Sequence, residues 1–126
     1  MRSFINIITN PLNILSYSLG FVALWFGLNE MFFPKEWLTF TPSFIGSDAL
    51  AVNLVIIHGA ILTICALLLF SNIYRKLAAI ILALLFIEII IDLVSQTGVS
   101  DIVVRDIGLC GMAIGLALLT PSAIRT

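Results

Sequence analysis

The sequence predicts an all-α protein, a four-helix transmembrane bundle, and two observations carry that prediction. Of the 126 residues, 61% are hydrophobic and only 10% are charged. A soluble domain has about half of its residues apolar and about a quarter charged. The chain also contains four apolar stretches close to the roughly 20 residues that a helix needs to cross a bilayer. At this length there is no room for a second domain, so residues 1–126 should form one transmembrane domain.

The four spans are predicted at residues 12–33, 49–70, 77–94 and 102–119. Asn10 supplies a capping side chain before the first span, and Pro11 stands where a helix needs no N–H donor. Ser47 or Asp48 should cap the second span. The connection between the second and third spans is short, so these two should be antiparallel neighbours.

Orientation in the membrane rests on a few basic residues. Arg2, Arg75, Lys76 and Arg125 fall on one side of the predicted spans, and Lys35 and Arg105 on the other. The positive-inside rule therefore predicts that both termini are cytoplasmic. The first apolar run is too long for a removable signal peptide and should remain as a signal anchor. We expect an integral protein of the plasma (inner) membrane of a prokaryote, surrounded by membrane lipid.

The longest connection, residues 34–48, should lie on the outer side of the membrane. It contains two prolines and Gly46, which exclude another spanning helix. Trp37, Phe40 and Phe44 are spaced to lie at the interface, where aromatic rings are enriched. The segment is therefore either a membrane-surface anchor or a lid over a cavity.

Small residues predict which helix faces pack, because small side chains let backbones approach in lipid. The first span places Ser16, Gly20, Ala23 and Gly27 on one face, and the fourth places Gly108, Gly111 and Gly115 on one face. Extending these faces reaches Glu30 and Arg105, which should then point inward. The glycine faces could pack within the bundle or between copies of the chain.

Ionisable side chains are costly in hydrocarbon, and this chain concentrates them in the outer half of its spans. The candidates for a ligand-binding or proton-relay site are Arg105, Glu88, His58, Asp92, Asp106 and Glu30. We expect a polar funnel open to the outside, with Arg105 tied to Glu88 or Asp92. Such a cluster suits proton relay, cation binding or hydrogen bonding to a polar head group. The alternatives are structural: helix-dipole compensation by Asp101 and Asp106, or a neutral core histidine.

Several other classes of site are disfavoured. His58, Glu88 and Asp92 supply nitrogen and oxygen donors, but no HExxH or ExxH spacing supports a metal site. Cys65 and Cys110 should lie at different depths, so a disulfide between them is not expected. A net charge of -1 offers no basic patch, so we expect no nucleic-acid partner.

Four sequence segments together resemble the DoxX-like (DoxX/DoxD) family of small four-helix membrane proteins. They are GFVALWFGLNEMFFPKEW at 20–37, LVIIHGAILTICALLLF at 54–70, RKLAAIILALL at 75–85 and VRDIGLCGMAIGLAL at 104–118. Many relatives carry a glutamate near the His-Gly pair, whereas residues 60–65 contain no acid here. Glu88 and Asp92 could compensate. The resemblance implies a four-helix bundle, and some relatives are associated with thiosulfate:quinone oxidoreduction or with redox-related membrane complexes.

Three functional hypotheses follow. The first is an accessory or ligand-binding subunit of a redox-related complex, not an enzyme on its own, which associates with other subunits or with itself. The second is a quinone-linked oxidoreductase subunit, in which His58 or Arg105 bonds the quinone oxygen and Glu88 or Asp92 moves the proton. The third is a proton- or cation-coupled transporter, disfavoured because the inner half lacks a charged path.

Overall fold

The computed structural model describes residues 1–42 and 44–122, and within them it contains helices and no strands. The helices are α1 (Arg2–Thr9), α2 (Pro11–Phe32), α3 (Asp48–Ser71), α4 (Arg75–Thr97) and α5 (Asp101–Leu119), with a 3₁₀ helix at Pro34–Phe40. Helices α2 to α5 are long and apolar enough to cross a membrane. The predicted all-α four-helix bundle is therefore confirmed. Arg125, which contributed to the predicted orientation, lies outside the described residues.

Polar caps set where three of the spans begin. The Leu12 N–H donates to the Asn10 side chain at 3.0 Å, as the sequence predicted. The side chain that caps α3 is Ser47, which accepts from the Leu50 N–H at 3.1 Å. Ser100 caps α5 in the same way. Each cap satisfies one backbone donor that the first helical turn leaves free.

The N-terminal apolar run is divided, which the sequence analysis did not predict. Helix α1 is a separate amphipathic helix with no buried residue, and Asn10 with extended backbone angles separates it from α2. Its apolar side chains are Phe4, Ile5, Ile7 and Ile8. Proline cannot donate the N–H that a continuous helix needs, so Pro11 starts a new helix. Such a short amphipathic helix is suited to lie in the membrane interface.

The bundle consists of two closely packed hairpins, α2 with α3 and α4 with α5. Helix α3 also contacts α4, and α2 contacts α5, so the four spans form a ring. We call the end that carries the Pro34–Phe40 connection the outer end, in line with the predicted topology. The opposite end, with the Asn72–Tyr74 turn, is the inner end.

The inner half is closed by small side chains that interlock with leucines. Its fully buried residues include Leu69, Leu82, Leu116, Ala78, Ala79 and Ala113. Polar groups there bond to backbone or to one another. Ser16 Oγ donates to the Leu69 carbonyl at 3.0 Å, and Lys76 Nζ donates to the Ala117 carbonyl at 2.8 Å. Lys76 thereby satisfies a carbonyl that the C-terminus of α5 leaves without an intrahelical partner.

The predicted packing role of the α5 glycines is wrong within this bundle. A Cβ atom added at Gly108, Gly111 or Gly115 would have no described atom within 4 Å, so this face points outward. Helix α5 instead packs through another face of small residues, which includes Cys110 and Ala113. Both faces are small at helical spacing, so the small-residue rule alone could not choose between them. Contact between copies along the glycine face stays a prediction.

Candidate functional site

The core of the site is a pair of side chains on α2 and α3. Glu30 is buried near the outer end of α2, and its Oε2 lies 2.6 Å from Nδ1 of His58 on α3. Such a short contact is typical of a charge-assisted hydrogen bond. A histidine with its proton on Nδ1 donates to the Glu30 carboxylate and keeps Nε2 as an acceptor. Glu30 therefore determines what the other side of the imidazole can do.

Two glycines bring these side chains together. A Cβ atom at Gly27 would lie 2.7 Å from the Gly59 carbonyl oxygen, and one at Gly59 would lie 2.7 Å from the Gly27 carbonyl oxygen. The two backbones touch here, one turn before Glu30 and one residue after His58. Gly27 thus confirms its predicted packing role, and so does Gly20, whose position lies close to Leu69 and Phe70. Gly59 was not among the packing residues predicted from the sequence, although its place beside the histidine was a signal.

Glu88 lies on the other side of the imidazole. Its Oε2 is 3.7 Å from His58 Nε2, beyond hydrogen-bonding distance, and its side chain is 55% exposed. His58 Nε2 itself is buried and has no hydrogen-bond partner among the described residues. An unpartnered buried nitrogen costs free energy unless another group reaches it. A ligand hydroxyl that donates to Nε2 from the cavity would satisfy this nitrogen.

Arg105 does not make the predicted ion pair with Glu88 or Asp92. Its guanidinium instead binds its neighbour Asp106, at 2.9 Å from Nη2 to Oδ1, and lies 4.9 Å from the centre of the Phe26 ring. Asp106 is buried, whereas the Arg105 side chain is 47% exposed. The prediction that Arg105 lies on the packing face of α5 is therefore wrong: Asp106 lies on that face, and the long arginine side chain folds back over it toward the cavity. The outcome is a charge pair that also holds Phe26 by a cation–π contact.

A cavity of about 650 Å³ joins all of these groups in the outer half of the bundle. Its polar lining consists mainly of Glu30, His58, Glu88, Asp92, Arg105 and Asp106, the six residues that the sequence singled out. The remaining wall is largely apolar and comes from α2, α3, α4 and α5. The structure thus brings the six side chains around one space, as the predicted polar funnel required.

The outer connection closes the top of the cavity. Trp37 and Phe40 line it, and Trp37 packs edge-on against Phe26 with ring centres 5.7 Å apart. Gln96 at the end of α4 donates to the Thr41 carbonyl at 3.1 Å and ties the segment to the opposite hairpin. The two alternatives for this segment were a membrane-surface anchor and a lid. The structure favours the lid, because the aromatic rings of the segment also line the cavity.

The described residues contain no arrangement suited to a metal ion and no disulfide. Across residues 1–42 and 44–122, no group of three or more histidine, cysteine, aspartate or glutamate side chains is placed to hold a metal ion. Cys65 and Cys110 are both buried free thiols, and Cys110 Sγ lies 3.7 Å from the Ala83 carbonyl oxygen. Both cysteines pack in the bundle, as the sequence predicted.

A scan against protein-family models and searches of curated proteins and of solved structures found no match for this chain. The resemblance to the DoxX-like family stays a prediction that rests on the four sequence segments. Fold and site therefore stand on the geometry alone: an integral membrane four-helix bundle with a polar-lined cavity near its outer end.

Proposed function

We propose that the protein binds a small amphiphilic ligand in its outer cavity and acts as an accessory subunit, not as an enzyme on its own. The observation that carries the proposal is His58 Nε2, a buried nitrogen without a described hydrogen-bond partner on a residue that lines the cavity. A ligand head group with a hydroxyl, which can donate to Nε2, would supply the missing bond. The apolar walls would hold the remainder of the ligand.

The size and composition of the cavity support this proposal. Its volume of about 650 Å³ lies within the roughly 300–1,000 Å³ of typical small-molecule sites. Such sites combine apolar walls with a few polar groups that orient the ligand. Here the polar groups lie in the walls, at one side where Glu30 fixes His58 and at another where Asp106 holds Arg105.

The wider context of the proposal comes from the DoxX-like resemblance. We assign the protein to a redox-related complex in the plasma membrane of a prokaryote, with both termini cytoplasmic. The exposed α5 glycine face is one surface on which such subunits could pack closely.

The test is to purify the protein in mild detergent, extract it with organic solvent and identify the bound molecules by mass spectrometry. The variant His58→Phe keeps a ring of similar size but removes the head-group contact. Ser16→Ala is the matched control, because it removes a buried hydrogen bond to Leu69 in the inner half without touching the cavity. It shows what a loss of stability alone does to ligand retention.

We expect one small molecule per chain in the wild type and in Ser16→Ala, and its loss in His58→Phe. The same mixture of bulk lipid in all three samples would contradict the proposal. Loss in both variants would show that retention follows stability and not the head-group contact, and would equally count against it.

A quinone-linked oxidoreductase subunit is the second candidate. The observation that favours it is the position of His58 between two carboxylates, 2.6 Å from Glu30 and 3.7 Å from Glu88. With both imidazole nitrogens protonated, His58 would donate from Nε2 to a quinone oxygen, and the half-exposed Glu88 would exchange the proton with the surroundings. This candidate expects a quinone in the extract and loss of quinone reduction by membranes that contain His58→Phe.

The transporter hypothesis has less support. Leu69, Leu82 and Leu116 are fully buried in the inner half, below the cavity. A transport path would have to open this packed region in every cycle. Charge movement in liposomes that contain only this protein would revive the hypothesis.

A further inference from the structure

The outer cavity has one wall that is also a surface of the protein. Leu54, Ile57 and Ile61 of α3 all line the cavity, and all are exposed, Ile57 at 55%. Glu88 of α4, across from them, also lines the cavity and is also exposed. In a bilayer, apolar side chains exposed at the middle of a spanning helix face lipid. The cavity therefore meets the membrane between α3 and α4.

The arrangement of the helices explains this side opening. Helix α3 packs closely along α2, and α4 packs closely along α5, whereas α3 and α4 contact each other less. A short turn joins α3 and α4 at the inner end, so they are held together there. At the outer end no such link joins α3 to α4, because α3 connects there to α2 and α4 connects to α5. Beside the cavity, therefore, no short turn holds the two hairpins together.

The top of the cavity is less accessible than its side. Trp37 and Phe40 cover it, Trp37 packs on Phe26, and Gln96 holds Thr41 at 3.1 Å. A molecule from water would have to displace this lid. A molecule dissolved in the bilayer would meet the exposed apolar side chains of α3 and the half-exposed Glu88.

The charges in the cavity indicate what kind of head group fits. Arg105 is paired with Asp106, and His58 is paired with Glu30. Glu88 and Asp92 are additional carboxylates in the lining. An anionic head group would face this excess of acids in a medium of low dielectric constant, where like charges repel strongly. A head group with uncharged hydroxyl groups can instead donate to His58 Nε2 and to carboxylate oxygens.

From these observations we infer that the cavity takes an uncharged amphiphile directly from the lid-side leaflet through the gap between α3 and α4. Its head lies against His58 and Glu88, and its chain stays in the gap, against Ile57 and Ile61. The inference rests on the proposed ligand-binding function and adds the ligand class and the entry route.

The experiment uses Trp37 as a reporter in the full-length protein in lipid nanodiscs. The chain has two tryptophans, and Trp25→Phe removes the other, which is exposed on α2. The probe is a monoacylglycerol with bromine atoms in the middle of its chain, which quench a nearby indole. A fatty acid with the same brominated chain is the comparison with a charged head. Quenching that unbrominated monoacylglycerol reverses is counted as specific.

Two variants test the route. Ile57→Phe with Ile61→Phe adds bulk in the gap. Ile64→Phe with Leu67→Phe adds the same bulk to the same helix, at exposed positions that do not line the cavity. Denaturant unfolding of each variant confirms that the bundle is intact.

We expect specific quenching of Trp37 by the monoacylglycerol, at concentrations about tenfold lower than for the fatty acid, which corresponds to about 1.4 kcal/mol. The gap variant should slow the appearance of quenching severalfold, and the control pair should not. Specific quenching with equal rates in all variants would overturn the side entry and leave the binding function standing. Stronger quenching by the fatty acid would overturn the uncharged head group. No specific quenching in any protein would overturn the binding function, and the inference with it.

Discussion

The outer and inner halves of this bundle use polar groups in opposite ways. In the inner half, Lys76 binds carbonyl groups at the end of α5, and Ser16 binds the Leu69 carbonyl. Each of these side chains donates to a backbone carbonyl oxygen and so has a hydrogen-bond partner within the bundle. In the outer half, His58 leaves a buried nitrogen without a described partner beside Glu88, in the wall of a cavity.

The difference indicates that the outer half is less stable than the inner half because it contains the cavity and its polar site. Close-packed leucine and alanine hold the inner half together, with Ser16 and Lys76 bonded to backbone carbonyls; Arg75 Nε is buried there without a described partner, although Nη2 of the same guanidinium donates to Asn13. A cavity and an unpartnered buried nitrogen both cost free energy, and such local costs concentrate at functional sites. The inner half therefore acts as the rigid base on which the outer half is built.

The largest expected effect comes from truncating a leucine in each half. Leu69 is fully buried in the inner half, so Leu69→Ala should lower the free energy of unfolding by about 2–5 kcal/mol. Leu54 is exposed and lines the outer cavity, so Leu54→Ala should change it by no more than about 0.5 kcal/mol. Denaturant titration in mixed micelles, followed by circular dichroism, measures both. Equal losses would show that the two halves are packed alike.

The next largest effect tests the glycine contact that positions the site. Gly27→Ala places a Cβ atom 2.7 Å from the Gly59 carbonyl and should cost about 1–3 kcal/mol, because two backbones must separate. Gly111→Ala is the matched control: it has open space around it and should cost nothing or stabilise α5 slightly. The same titration in dilute detergent compares them. A loss in Gly111→Ala equal to that in Gly27→Ala would indicate that the α5 face is packed against a second copy.

A smaller effect is expected at the Arg105–Asp106 pair. Arg105→Leu leaves the buried Asp106 carboxylate without its partner and should cost about 1 kcal/mol, below the roughly 3–5 kcal/mol of fully buried pairs, because Arg105 is 47% exposed. Adding Asp106→Asn to Arg105→Leu should recover most of that loss. A double-mutant cycle measures the coupling. Strictly additive losses would mean that the pair contributes no coupling energy.

The smallest effect concerns the lid. Gln96→Ala removes one exposed hydrogen bond to Thr41 and should lower stability by about 0.5 kcal/mol or less. It should nevertheless increase access of a water-soluble quencher to Trp37 in the Trp25→Phe background. Ser95→Ala, which affects only a bond within α4, is the control. Unchanged access to Trp37 would show that Gln96 does not hold the lid closed.

Much of the fold could be predicted from the sequence because membrane constraints are strong. A span must be long, apolar and capped. The predicted span 12–33 is shifted by one residue relative to α2, and the predicted span 102–119 begins one residue after the start of α5. The ends of α4 were harder to predict, because Arg75 and Gln96 are polar yet helical. Side chains that point along the helix toward water allow polar residues within its terminal turns.

The site could be predicted as a group of residues but not as a set of pairs. Ionisable side chains are energetically costly in apolar spans, and on this ground the sequence singled out all six polar side chains around the cavity. Their partners depend on how each helix is rotated about its axis. The rotation of α5 by one residue position determines that Asp106, and not Arg105, lies on the packing face. The contact of Gly27 with Gly59 likewise requires both helices in place, which spacing within one helix cannot show.

The most direct test of the account uses the fact that His58 is the only histidine in the chain. In protein labelled with ¹⁵N histidine, the NMR spectrum reports the proton on each imidazole nitrogen of one residue. We predict a strongly hydrogen-bonded Nδ1 whose shift moves in Glu30→Gln, and an Nε2 whose shift moves when the monoacylglycerol is added. An imidazole that carries its proton on Nε2 and responds neither to Glu30→Gln nor to the amphiphile would contradict the account.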